Sequence, residues 1–189
     1  MSYKWCNEIR LDLLKVEGGD SKLVFTTDKE EAEVYLDGQD IGRVVHRHSG
    51  VETVVDNRSA HHFVVGEGNA QRDVFHYLKP DGPAPKLRLG ITKHRGIGTW
   101  SSLPHDFELN VEPGFEEVFF YLIAGGKSRA IQVGEGVWYD NSAVKDAWFV
   151  EDHSFGTVPM GYHPVVGEPG SIVHYVWAYI CKKPEWEKI

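Results

Sequence analysis

VHYVWAYI, residues 173–180, decides the fold class. Two sets of residues alternate along it: Val173, Tyr175, Trp177 and Tyr179, then His174, Val176, Ala178 and Ile180. Successive side chains of a strand point to opposite faces, so both faces of this strand are largely apolar and both are expected to be buried. EEVFFYLI, residues 116–123, repeats the pattern, with Glu117, Phe119, Tyr121 and Ile123 on one face. The spacing predicts further strands over residues 22–26, 63–65, 74–78, 87–92, 130–133, 137–139 and 147–150. A hairpin joins 33–36 to 39–45 through Asp37-Gly38, a preferred two-residue turn. Residues 7–16 fit a helix and a strand equally well. KPDGPAPK, residues 79–86, reads as a linker or a long loop, and an ordered crossover between sheets has the same composition. With 20 Gly, 9 Pro, 9 Phe, 6 Trp and 8 Tyr spread between short apolar runs, the chain reads as all-β.

Composition excludes several classes of function. The 189 residues suffice for a real hydrophobic core, and 41% hydrophobic with 25% charged residues is a globular composition. A formal charge of −8 repels phosphate backbones and anionic lipid, so neither nucleic acid nor a membrane is expected as a partner. No apolar stretch is long enough for a membrane helix, and charges interrupt the first residues where a secretion signal would be apolar. Cys6 and Cys181 read as reduced thiols, and a cytoplasmic location is expected.

No phosphate-binding glycine loop, nucleophile elbow, CxxC or HExxH is present. Histidine is the conspicuous residue, with ten copies. His46 and His48 share a strand face, while His61 and His62 point to opposite faces; these read as surface or core histidines more readily than as ligands. His105 (in SSLPHDFE), Glu117 and His163 (in VPMGYHPV) form the stronger set. A carboxylate at the head of an apolar strand face needs a partner when buried. Two imidazoles and a carboxylate suit a divalent metal with open coordination positions, and a buried His–Glu hydrogen bond accounts for the pattern equally well.

These residues also carry a resemblance. GEGNAQRDVFHYL (66–78), TWSSLPHD (99–106), EEVFFY (116–121), AWFVEDHSFGTVPMGYHPVVGEPG (147–170) and YVWAYICKK (175–183) are similar to the cupin sugar-acid isomerases, which act on 5-deoxy-glucuronate in inositol breakdown and on 5-dehydro-4-deoxy-glucuronate. GRVVHRHS (42–49) carries a weaker likeness to the first cupin half of the inositol enzymes. The resemblance implies a cupin, a double-stranded β-helix or jelly-roll barrel, over 61–189, and a reduced β-rich extension over 1–60 resembling a truncated first half.

It implies the metal ligands His105, Glu117 and His163. The family has an HxH pair where this chain has one imidazole. Either His105 matches the first His and Phe107 replaces the second, or His105-Asp106 matches the second His and the Asp after it. The implied metal is zinc or manganese, with iron as a further option. Tyr121 and Gln132 are the implied substrate-binding residues. Glu108 and Tyr121 are candidates for the catalytic base by position. Met160 and Val133 stand where the family usually has arginine, so a carboxylate clamp is missing there unless Lys127 or Arg129 replaces it. Neutral sugars are therefore expected to bind at least as well as uronates.

The implied function is a metal-dependent aldose–ketose isomerase for a sugar or sugar acid, a homo-oligomer being compatible with it. The alternatives are a sugar-binding cupin without turnover and, more remotely, an iron-dependent cupin dioxygenase.

Overall fold

The computed structural model describes residues 13–101, 117–138 and 140–180. Cys6, Cys181, His105, Asp106, Phe107, Glu108 and most of 7–16 lie outside the described residues. Among the described residues, fifteen strands and one 3-10 turn (Gly68–Ala70) follow one another. They are β1 Lys15–Gly18, β2 Lys22–Thr26, β3 Glu30–Asp37, β4 Asp40–His48, β5 Val51–Asp56, β6 His61–Val65, β7 Arg72–Leu78 and β8 Leu87–His94. Then come β9 Glu117–Gly125, β10 Arg129–Val137, β11 Ala143–Glu151, β12 Phe155–Thr157, β13 Met160–Tyr162, β14 Val165–Gly167 and β15 Ser171–Ile180. No helix among the described residues is long and apolar enough to cross a membrane.

The strands form three antiparallel sheets. The first is a meander in the order β1-β2-β3-β4-β5; the second runs β12-β9-β15-β8-β7-β6; in the third β10 pairs with β11 on one side and with β13 and β14 on the other. The second sheet is the middle layer. Val118, Phe120, Leu122, Val176, Ala178 and Ile180 share one core with Leu23, Phe25, Ala32, Val34 and Ile41 of the first sheet. Their alternates Phe119, Tyr121, Ile123, Val173, Tyr175 and Trp177 share a second core with Ala130, Trp148, Val150 and Val165 of the third. The two apolar faces of 173–180 therefore have different causes: one lines the space between the barrel sheets, and the other carries the first sheet. Each fully buried Leu, Val or Phe in these layers contributes about 1.5–3 kcal/mol.

Polar contacts fasten the first sheet to the second. The buried Glu30 carboxylate accepts from the Lys86 and Leu87 amides (3.1 and 3.2 Å) and from His46 Nε2–H (3.1 Å). Tyr77 donates to the Ile41 carbonyl at 2.7 Å, and Lys93 pairs with Asp40. The 79–86 segment is thus an ordered loop between neighbouring strands β7 and β8, closed on itself by Arg88, which donates to the Ala84, Pro85 and Leu87 carbonyls.

Some boundaries differ from the sequence reading. Asp37 pairs with Asp40, so the hairpin loop is Gly38-Gln39 rather than Asp37-Gly38, with the left-handed conformation on Gly38 (φ 59°). The register shift between Tyr35 and Leu36 absorbs the extra residue. β10 is one strand reaching Val137, not two. β5 and the three short strands β12 to β14 have no counterpart in the sequence reading; β5 is a largely exposed edge strand and lacks the apolar alternation that marks the others.

Candidate active site

The site lies between the second and third sheets. Period two along β9 sends Phe119, Tyr121 and Ile123 into that space and places Glu117 at its edge, with its side chain 10% exposed. His163 comes from the connection between β13 and β14. Gly161 adopts φ 112°, and across from it a Cβ on Gly136 would sit 1.8 Å from the Met160 carbonyl oxygen. Glycine at both positions is what lets this segment close onto β10. The result is a fully enclosed imidazole, edge-on to the Phe119 ring at 5.7 Å between centroids.

Glu117 and His163, expected together, are together: Nε2 of His163 lies 3.5 Å from Oε2 of Glu117. Nδ1 of His163 is 2.9 Å from the Pro159 carbonyl, which only accepts, so Nδ1 carries the proton. In the neutral ring Nε2 then presents its lone pair towards Glu117. Burial pushes the Glu117 carboxyl up to about 8, so without a cation it holds a proton near neutral pH. A proton or a metal ion can fill the gap between these two groups. The donor set fits a divalent cation: an imidazole oriented by a backbone carbonyl beside a carboxylate is the usual arrangement of ligands. Among the described residues no three His, Cys, Asp or Glu converge on one point. His105, the third expected ligand, lies outside the described residues.

Tyr121 and Gln132 are also in contact. The Tyr121 hydroxyl donates to Gln132 Oε1 at 2.9 Å, and Gln132 Nε2 donates to the His163 and Pro164 carbonyls at 2.7 and 3.0 Å. This chain of bonds holds the backbone that carries His163. His46 and His48 take no part: His46 belongs to Glu30, and His48 Nδ1 lies 3.1 Å from the Lys29 carbonyl.

The sequence reading missed a second polar cluster on the same face of the middle sheet. Ser101 is bridged to Val165 through its backbone, and its Oγ lies 2.7 Å from His94 Nε2 and 3.1 Å from the Tyr175 hydroxyl. Burial, assisted by His174 and Arg72, pushes His94 down to about 3, so it is neutral. The period of β15 would have found Tyr175; nothing local marks His94 or Ser101.

Neither candidate replacement for the missing arginines serves. Lys127 is exposed in the turn between β9 and β10. Arg129 lies on the face of β10 opposite Gln132, clasped by both Glu168 carboxylate oxygens (3.1 and 2.7 Å) and stacked over Phe149.

A model of the KduI/IolB family matches residues 18–189, taking in all three sheets. The chain belongs to the KduI/IolB family. Two 5-deoxy-glucuronate isomerases are similar to this KduI/IolB chain. One, from Halalkalibacterium halodurans, is 30% identical over 65% of the chain and 46% of its own length. The other, from Bacillus subtilis subsp. natto, is 29% identical over 65% of the chain and 45% of its own length. The chain thus spans about half the length of the curated relatives it matches. An IolB-like protein from Salmonella typhimurium LT2 superposes with TM-score 0.62 at 20% identity, over 92% of this chain and 74% of that one. The all-β cupin expectation holds for this KduI/IolB chain.

Proposed function

We propose that the chain is a metal-dependent isomerase that interconverts the aldose and ketose forms of a sugar acid. Family membership and the names of its relatives support the reaction and the substrate class. The observation that carries the reading for this chain is the Glu117–His163 pair, inside the barrel, with the imidazole held by Pro159.

Glu117, His163 and His105 would hold a zinc, manganese or iron ion. When bound, such an ion supplies Lewis acidity to carbonyl and hydroxyl oxygens nearby. The remaining requirements fall to the protein. Phe119, Trp148 and Trp177 wall the interior and exclude water, which strengthens every polar contact made there. Tyr121 and Gln132 stand as the substrate-contacting pair, their mutual bond setting the direction of both. Moving a proton between adjacent carbons needs a base working near its own pKa, and Glu108 and Tyr121 remain the candidates.

The test is elemental analysis of protein purified without added metal, paired with turnover of 5-deoxy-glucuronate. About one metal ion per chain together with ketose formation is expected. Protein that stays metal-free after incubation with zinc, manganese and iron would overturn the metal dependence.

A further inference from the structure

Arg72 opens β7 directly opposite His94 of β8. Val74, two residues on, lies in the core between the barrel sheets, so the Arg72 side chain leaves the strand on the interior face. It is 7% exposed. One of its N–H groups donates to the Ala70 carbonyl at 2.8 Å, and it pairs with no carboxylate among the described residues. A Cβ on Gly66, at φ 76°, would sit 3.0 Å from Arg72 Nη1; glycine leaves that room.

The other arginines of the described chain are provided for differently. Arg47, Arg95 and Arg129 pair with carboxylates, Arg88 is capped by three carbonyls, Arg43 stacks over Tyr35, and Arg58 is exposed. Arg72 alone combines near-complete burial with a single acceptor. The N–H groups it does not give to Ala70 are not sealed into the protein, so the free part of the fork is open to a ligand that reaches this interior, and a planar guanidinium suits a carboxylate there. Among the described residues, Ser101 and Tyr175 beside His94 are uncharged and His94 stays neutral, so none of these supplies an anion to Arg72. Arg72 and Glu117 each stand two residues from a side chain of the core between the barrel sheets, Val74 and Phe119, on strands of the same sheet, so both belong to its interior face.

We propose that Arg72 is the carboxylate-binding residue of this barrel, and that it sets a preference for sugar acids over neutral sugars. The proposal rests on reading the interior as a sugar-acid site. It supplies the clamp that Met160 and Val133 lack and reverses the expectation drawn from those two positions. A forked guanidinium meets both carboxylate oxygens at once, which neither Ser101 nor Tyr175 can do.

Calorimetric titration of D-glucuronate and D-glucose into the wild type, Arg72→Gln and Arg72→Lys tests it. The wild type is expected to bind glucuronate about ten- to a hundred-fold more tightly than glucose. Arg72→Gln is expected to abolish that preference while leaving glucose affinity unchanged, with Arg72→Lys intermediate and all three unfolding at similar temperatures. No preference in the wild type, or a preference that survives in folded Arg72→Gln, would overturn the proposal. Should the variants fail to fold, phenylglyoxal labelling of the wild type decides: glucuronate, and not glucose, is expected to protect Arg72, and equal labelling under both overturns it. Turnover measured on the same samples separates the two readings. Absent turnover with an Arg72-dependent preference removes the isomerase and keeps the clamp; turnover with a preference indifferent to Arg72 does the reverse.

Discussion

Nε2 of His163 faces Oε2 of Glu117 across 3.5 Å inside the barrel, and the Pro159 carbonyl fixes which ring nitrogen points that way. If the proposed metal site is correct, removing either partner removes a ligand rather than an orienting contact. His163→Ala and Glu117→Gln are each expected to lower zinc or manganese affinity by more than the ~10–100-fold typical of a supporting residue, with the fold intact. Titration of metal into the purified variants checks this, and full metal occupancy in both would show that the site lies elsewhere.

Glu117 also predicts a pH dependence for the metal-free protein. Its folded carboxyl is raised from 4.5 to about 8, so the folded state holds a proton that the unfolded chain releases. The resulting stability is present below 4.5 and is lost as pH rises towards 8. The wild type should lose stability relative to Glu117→Gln over that window, measured by denaturant unfolding in chelator. On the acid side, burial holds His76 down to about 4 and His94 to about 3, from 6.5. Their contribution is complete above 6.5 and is lost as pH falls through those values.

The Glu30 carboxylate joins two sheets through His46 and the Lys86 and Leu87 amides. Glu30→Ala strands all three donors and should cost about 3–5 kcal/mol, and Glu30→Gln less, since an amide oxygen still accepts. His46→Ala with His48→Ala should lower stability through the same contact yet leave metal content unchanged. Loss of metal in that double variant alone would move the site to the first sheet.

Gln132 braces His163 through the His163 and Pro164 carbonyls. Gln132→Leu keeps the volume and removes the bonds, so metal affinity should fall by about 10–100-fold while the protein stays folded. An unchanged affinity would show that His163 keeps its place without this support.

How far the sequence was legible depended on period and on distance. Val173 to Ile180 announced burial on both faces because alternation is local, and Glu117 stood out as the carboxylate on an apolar face. The partner on the outer face was not legible: an alternating apolar strand reads alike whether a barrel wall or a separate sheet covers it. β5 escaped because only Val55 of its three valines packs against the core, while Val51 and Val54 are exposed on opposite faces and blur the alternation. Arg72 and His94 were hidden for another reason. Each looks like an ordinary surface residue beside Asp73 and Arg95, and only strand phase in the middle sheet turns them inward, opposite one another.

An isomerase of this kind moves a proton between adjacent carbons of a sugar acid. Proton NMR of 5-deoxy-glucuronate with metal-loaded protein in deuterium oxide tests it most directly. Ketose formation is expected, with deuterium entering at the carbons beside the carbonyl, and both are expected to be lost in Glu117→Gln. Protein that binds metal and the sugar acid yet yields neither ketose nor exchange would contradict it.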